Sequence, residues 1–259
     1  MRSSQAAFDK IVGWEVSSQA VYQAKYRRPE WPGEQSGPTV GIGYDLGQTD
    51  KATIHADWFG RVPTSMLDLM VAASGKTGAA GKAATAAIRN DIDIPWEVAL
   101  AVHKECVLPR WEAKVAKALP NTEFLSADCF GVLTSLTFNR GASFAAQGDR
   151  YIEMRAIKAH MAAKEFAKIP DELRAMKRLW PDSRGLRDRR DAEAALFERG
   201  LHAPVAMPTP AAPSQVPPIT PQPVPPAPAG IDPPQAASAF ELIAKLITAI
   251  IGAFKGSKS

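Results

Sequence analysis

Two stretches of this chain carry the residue types that glycoside hydrolysis requires. The first is a single carboxylate, Glu15, on a segment with helical periodicity. The second is the glycine-laced run Ser36-Gly37-Pro38-Thr39-Val40-Gly41-Ile42-Gly43-Tyr44-Asp45-Leu46-Gly47. One acid must protonate the leaving oxygen while another group handles water or the developing cation. The run supplies a hydroxyl at Thr39 and a second carboxylate at Asp45. Around Glu15 the chain reads Phe8, Ile11, Val12 and Trp14, with Val16 beyond, so the carboxyl sits among apolar side chains. Partial desolvation there raises its pKa and keeps a proton available near neutral pH.

Each part has a plainer meaning. An isolated Glu on an amphipathic helix is ordinarily a solvated surface residue, and Gly-x-Gly in an apolar strand ordinarily marks a tight turn or close backbone packing. It is their combination that points to chemistry. Two phosphate-binding alternatives fail on spacing. After Gly41 and Gly43, the sixth position of a dinucleotide fingerprint is Leu46. The upstream glycine that a phosphate loop at Gly75-Lys76-Thr77 needs is Met70, and Ser65 to Met70 is helical in pattern.

The elements that must position these groups are mostly helical. Helical periodicity runs through residues 4–20, 63–73, 95–118, 126–138, 150–163, 170–178 and 187–199, and a turn over 74–82 leads into a helix from about Lys82 to Asn90. Only residues 36–46 read as strand and turn. The fold class is therefore α+β, mostly α, and no internal repeat is evident. The chain has 259 residues, 46% of them hydrophobic, enough for one or two domains. Composition shifts near His202. From Pro204 to Pro234 the chain holds more than half of its 22 prolines and almost no charge, the signature of an extended spacer. The expected organisation is a globular domain over 1–202, a Pro-rich linker over 203–235 and an amphipathic helix over 236–259.

The run from Gly37 to Gly47, taken with Glu15, resembles the hairpin and acid of the phage-type lysozymes, most closely the pesticin-like muramidase branch. Two later blocks support the resemblance. Phe130-Gly131-Val132-Leu133-Thr134-Ser135-Leu136-Thr137-Phe138-Asn139-Arg140-Gly141 is similar to the family's central helix with its Phe-Asn-x-Gly turn. Met176-Lys177-Arg178-Leu179-Trp180 and Gly185-Leu186-Arg187-Asp188-Arg189-Arg190-Asp191-Ala192-Glu193 are similar to its closing helix. The resemblance spans residues 5 to 200 and implies a two-lobed fold with a cleft. It makes Glu15 the general acid, Thr39 the essential threonine and Asp45 the second carboxylate. Glu34, with Glu30 behind it, is the rival to Asp45, because in the better-known phage enzymes the second acid precedes the threonine.

The implied substrate is the peptidoglycan glycan strand, cut between N-acetylmuramic acid and N-acetylglucosamine. Tyr44 and Asn139 are candidate sugar contacts. Arg189 is a candidate either for substrate or for an inward pair with Glu15, although most charges of its helix read as a solvated face with Arg189 and Glu193 one turn apart. The plain reading of residues 130–141 is a core helix with a glycine C-cap. A threonine-held water suggests inversion, which the carboxylate separation decides.

Other chemistries find little support. His55, His103, His160 and His202 are scattered without metal spacing, so no metal and no cofactor is expected. Cys106 and Cys129 read as buried thiols, with a disulfide as the alternative. A net charge of +4 favours an anionic wall or membrane surface and is too weak to argue for nucleic acid. Met1 to Ala20 lacks the apolar core of an export signal, which implies synthesis in a host bacterial cytoplasm and action on the wall after release, as in an endolysin. Delivery as a secreted antibacterial toxin is the second route.

From Ser238 to Lys255 the polar positions Ser238, Glu241, Lys245, Thr248, Gly252 and Lys255 recur at spacings of three and four, and large apolar residues such as Phe240, Leu246, Ile250 and Phe254 cover the rest. The apolar stretch is short for a bilayer-spanning helix and carries charges. It can lie in a bacterial membrane interface, self-associate, or pack on the globular domain. A different class of function also stands: a wall-binding module of this fold without turnover.

Overall fold

The computed structural model describes residues 1–203. The proposed linker, apart from Ala203, and the C-terminal amphipathic helix lie outside the described residues. What is described is mostly helical with one two-stranded hairpin.

Helix α1 (Gln5–Val16) starts at Ser4, whose hydroxyl caps Ala7 N–H at 3.1 Å. Its buried positions are Ala7, Phe8, Ile11, Val12, Glu15 and Val16, two rows spaced by four, so Glu15 occupies a place in the apolar stripe. After Ser17, at φ 63°, the short α2 (Gln19–Val21) runs into a π-helical turn, Tyr22–Tyr26. Strands β1 (Thr39–Val40) and β2 (Tyr44–Asp45) pair antiparallel, Thr39 with Asp45 and Val40 with Tyr44. The connection Gly41-Ile42-Gly43 needs left-handed backbone at both glycines, φ 57° and 68°. Glu30 adds a further bridge to Thr39.

Helices α3 (Lys51–Trp58), α4 (Thr64–Ala72) and α5 (Gly78–Ile88) follow. The first is not anticipated by periodicity, and α5 starts before Lys82. The stretch read as one helix over 95–118 is α6 (Trp96–Val102), a π-helical turn (His103–Val107) and α7 (Leu108–Ala118) in one run. Proline at the start of α7 has no N–H for the preceding turn, and the register widens there, with Leu108 N–H reaching His103 O. Then come α8 (Ala127–Arg140), α9 (Ile152–Ala163), α10 (Ile169–Ala175) and α11 (Arg184–Leu201). Gly141 at φ 74° ends α8, which is buried on nearly all sides.

Two hydrophobic clusters form the interior. One joins α1, the hairpin and α3 to α6 through Ile11, Ile42, Leu46, Ile54, Trp58 and Met70. The other joins α7 to α11 through Leu133, Leu136, Met154, Leu173 and Phe197. Helix α1 serves both: Ala7 belongs to the second cluster, and Ser4 N–H donates to Ala127 O at 3.0 Å. Gly131 lets α8 approach α1, since a Cβ there would collide with Ala7. Cys106 lies against the first cluster and Cys129 in the second, and both are free thiols.

The solvated-face expectation for residues 187–199 is corrected at its centre. Arg189, Arg190 and Glu193 are buried, because that side of α11 packs along α8, where Ser135 and Asn139 give the charges polar partners. Among the described residues, no helix is long and apolar enough to cross a membrane.

Candidate functional site

The stripe of α1 carries Glu15 into the interior, 3% exposed. Burial pushes its carboxyl up to about 7, against the opposing pull of Arg189, so the group is a proton donor at neutral pH. Arg189 Nη1 stands 3.6 Å from Glu15 Oε1. Arg189 also donates to Ser135 O at 3.2 Å and Ser135 Oγ at 3.1 Å, and its Nε lies 3.2 Å from Glu193 Oε1. Ser135 donates in turn to Glu193 at 2.7 Å, and Arg190 Nη2 reaches the same carboxylate at 2.9–3.0 Å. The result is a buried ladder of alternating groups, Glu15, Arg189, Glu193 and Arg190, shared between α1 and α11.

The hairpin turn meets the other carboxyl oxygen. A Cβ built at Gly43 would lie 3.6 Å from Glu15 Oε2, so Gly43 brings main chain close to the acid. His103 holds that turn in place. Its Nδ1 donates to Ile42 O at 3.1 Å, the tautomer a carbonyl acceptor requires. Desolvation pushes its pKa down to about 4, and it stays neutral between Phe8 and Phe138, with ring centroids at 6.0 and 5.6 Å.

Thr39 and Asp45 face each other across the hairpin, and both engage one residue. Thr39 Oγ1 donates to Gly37 O at 3.3 Å, and Gly37 N–H donates to the two Asp45 oxygens at 3.1 and 3.2 Å. Asp45 also accepts from Gln48 N–H at 3.1 Å. Burial raises the Asp45 pKa, and the backbone N–H groups oppose that shift. Beneath them, glycines pack backbone on backbone: a Cβ on Gly37 would come within 2.6 Å of Gly47 N, and one on Gly81 within 2.6 Å of Ser36 O. No hydrogen bond joins Thr39 or Asp45 to Glu15 among the described residues.

The remaining sequence candidates fall in different places. Tyr44 is a core residue: its hydroxyl donates to Asp57 at 2.7 Å and its ring meets Trp58 edge-on at 5.4 Å. This geometry ties β2 to α3. Asp57 is paired in turn with Arg110. Asn139 is buried with its carbonyl accepting from Arg190 at 3.3 Å. Arg189 is turned inward, 2% exposed. Glu34 is exposed at φ 50°, and Glu30 pairs with Arg89 at 2.9 Å, so neither shares the Glu15 environment.

Sequence reasoning passed over His103, Ser135 and Arg190, and had Glu193 only as the partner of Arg189 on a solvated face. The signal for His103 was its place in the apolar row of Val98, Ala99 and Val102; the others become visible only when α8 and α11 are set side by side. No group of three or more His, Cys, Asp or Glu among the described residues is placed to hold a metal ion. No protein-family model matches the chain, and no curated protein matches its sequence.

Proposed function

We propose that this chain is a peptidoglycan hydrolase, a muramidase of endolysin type, which cleaves the β-1,4 bond between N-acetylmuramic acid and N-acetylglucosamine. The observation that carries the reading is Glu15: a carboxyl buried in an apolar stripe, its pKa raised to about 7 by burial, with a glycine of the hairpin turn against one oxygen. In this reading the hairpin cluster is the small lobe, the α7–α11 cluster is the large one, and the glycan strand lies between them. The strand displaces the Gly41-Ile42-Gly43 turn, and Glu15 protonates the glycosidic oxygen. Arg189 then pairs with the carboxylate that is left. Asp45 stabilises positive charge at the anomeric carbon or activates water, and Thr39 holds that water once strand binding draws both away from Gly37. The protein is made in the host cytoplasm and reaches the wall after release. Residues 238–255 add contact with the bacterial membrane or self-association.

One observation favours a second reading, a wall-binding module without turnover: Thr39 and Asp45 already have structural work at Gly37. Digestion of purified peptidoglycan by wild type and Glu15→Gln, with the reduced fragments identified by mass spectrometry, decides between the two. Reducing N-acetylmuramic ends from wild type alone are expected. Equal release by both proteins would remove Glu15 from the chemistry, and release by neither would leave the binding module.

A further inference from the structure

Beyond the acid, the ladder ends in a surplus of positive charge. With Glu15 protonated, Arg189 and Arg190 share the single carboxylate of Glu193, and Arg140 at the end of α8 adds a third buried guanidinium. Arg140 has no carboxylate of its own: its Nη2 donates to Arg150 O, and the nearby Glu153 is bound by Arg178 at 2.5 Å. Arg140 and Arg190 stand over the same indole, 5.1 and 5.9 Å from the Trp180 ring centroid.

Their donors are not used up. Arg140 Nε and Nη1, Arg190 Nε and Nη1, and Asn139 Nδ2 are buried, and none meets a hydrogen-bond acceptor among the described residues. Asn139 directs its carbonyl at Arg190, which leaves its buried amide N–H groups without an acceptor. Burial, with Arg150 beside Arg140 and with Arg189 and Arg140 beside Arg190, pushes both guanidiniums down to about 10, a field that an anion relieves. Unpaired buried donors and uncompensated buried charge are each costly, and one anion answers both.

We propose that Asn139, Arg140 and Arg190 form a buried anion-binding site beside Trp180, taking a compact anion of halide or short-carboxylate size. Trp180, partly exposed, is the side from which the anion enters. The ligand is separate from any glycan substrate, and the inference holds whether or not the chain cleaves peptidoglycan.

The test uses the full chain at constant ionic strength, with sodium gluconate replaced stepwise by sodium chloride or, in a second arm, sodium acetate. Melting temperature is expected to rise by about 2–4 °C and saturate, as mass action on a folded-state site requires. The arm that saturates at lower concentration identifies the preferred anion. Asn139→Asp places a fixed carboxylate beside Arg190, and its melting temperature is expected to be insensitive to either salt. No saturable rise in the wild type, or an equal rise in Asn139→Asp, overturns the proposal. A measurement on wild type alone covers failure of the variant to fold: bromide or acetate soaked into crystals is expected to give a density peak within hydrogen-bond reach of Arg140 and Arg190, and a site that takes up neither overturns it.

Discussion

The ladder on α1 and α11 and the base of the hairpin hold their functional groups by opposite means. Glu15, Arg189, Glu193 and Arg190 are placed by side chains acting on side chains in an apolar interior, where the proton on Glu15 depends on the balance between burial and one guanidinium. Thr39 and Asp45 are placed by main chain: Gly37 binds both through its carbonyl and its N–H, and glycine-on-backbone packing leaves no space for a side chain beneath. The first region tunes a pKa and the second fixes a position. In the proposed reaction the acid is used where it stands, whereas Thr39 and Asp45 must first leave Gly37.

Substitutions that act on one region and spare the other test this division. The largest effect is expected at Arg189. Arg189→Met takes away the donor to Ser135 and one of the two guanidiniums on Glu193, leaving Arg190 to hold that carboxylate, and should cost about 3 kcal/mol, read as a fall in melting temperature. Glu15→Gln removes the proton donor and leaves the hairpin intact, so glycan cleavage should fall about 10³-fold with the fold preserved; retained cleavage would detach the ladder from catalysis.

The pH dependence sharpens the same point. The folded chain binds the Glu15 proton up to about pH 7, whereas the ordinary value is 4.5, so it holds more protons than the unfolded chain across that window. Stability should therefore fall as pH rises from 4.5 to 7, by up to about 3 kcal/mol, and level off above it. Denaturant melts of wild type and Glu15→Gln across this range should show the slope in the wild type only, and cleavage should decline above pH 7 as the acid loses its proton. At the hairpin, Asp45→Asn keeps an acceptor for Gly37 and Gln48 and loses the charge, so a cost of about 1 kcal/mol is expected, with the Glu15 pH profile unmoved. A shifted profile would show that the two regions are electrostatically one.

Much of this was legible in the sequence. Rows of apolar residues spaced by four put Glu15 in the stripe of α1, and Gly-x-Gly between strand-like residues located the turn. Helix α8 and its glycine cap followed from a long apolar run. Helix α3 was illegible because it buries little besides Ile54, Asp57 and Trp58, and a buried aspartate breaks the apolar pattern; Asp50, capping Thr53 N–H at 2.9 Å, was the remaining signal. Most charges of α11 read as a solvated face, with Arg189 alone a candidate for an inward pair with Glu15, since i,i+4 spacing is the same on a surface and in an interior. Only the polar partners on α8, which lie far away in the chain, separate the two cases. Tyr44 misled similarly: its hydroxyl answers to Asp57 on a helix the periodicity did not reveal.

Helix α1 is synthesised before the other described helices, yet what completes its environment comes late. Ser4 is bound by Ala127, and Glu15 waits for Arg189 near the end of the last described helix. While the chain grows from the ribosome, the hairpin and its glycine packing can form from neighbouring sequence, but the apolar row of α1 has no second cluster to cover it and its carboxyl has no counterion. Until α11 is made, the carboxyl lacks the guanidinium that pulls against its raised pKa. The balance that sets its affinity for a proton is thus completed only when the last described helix emerges.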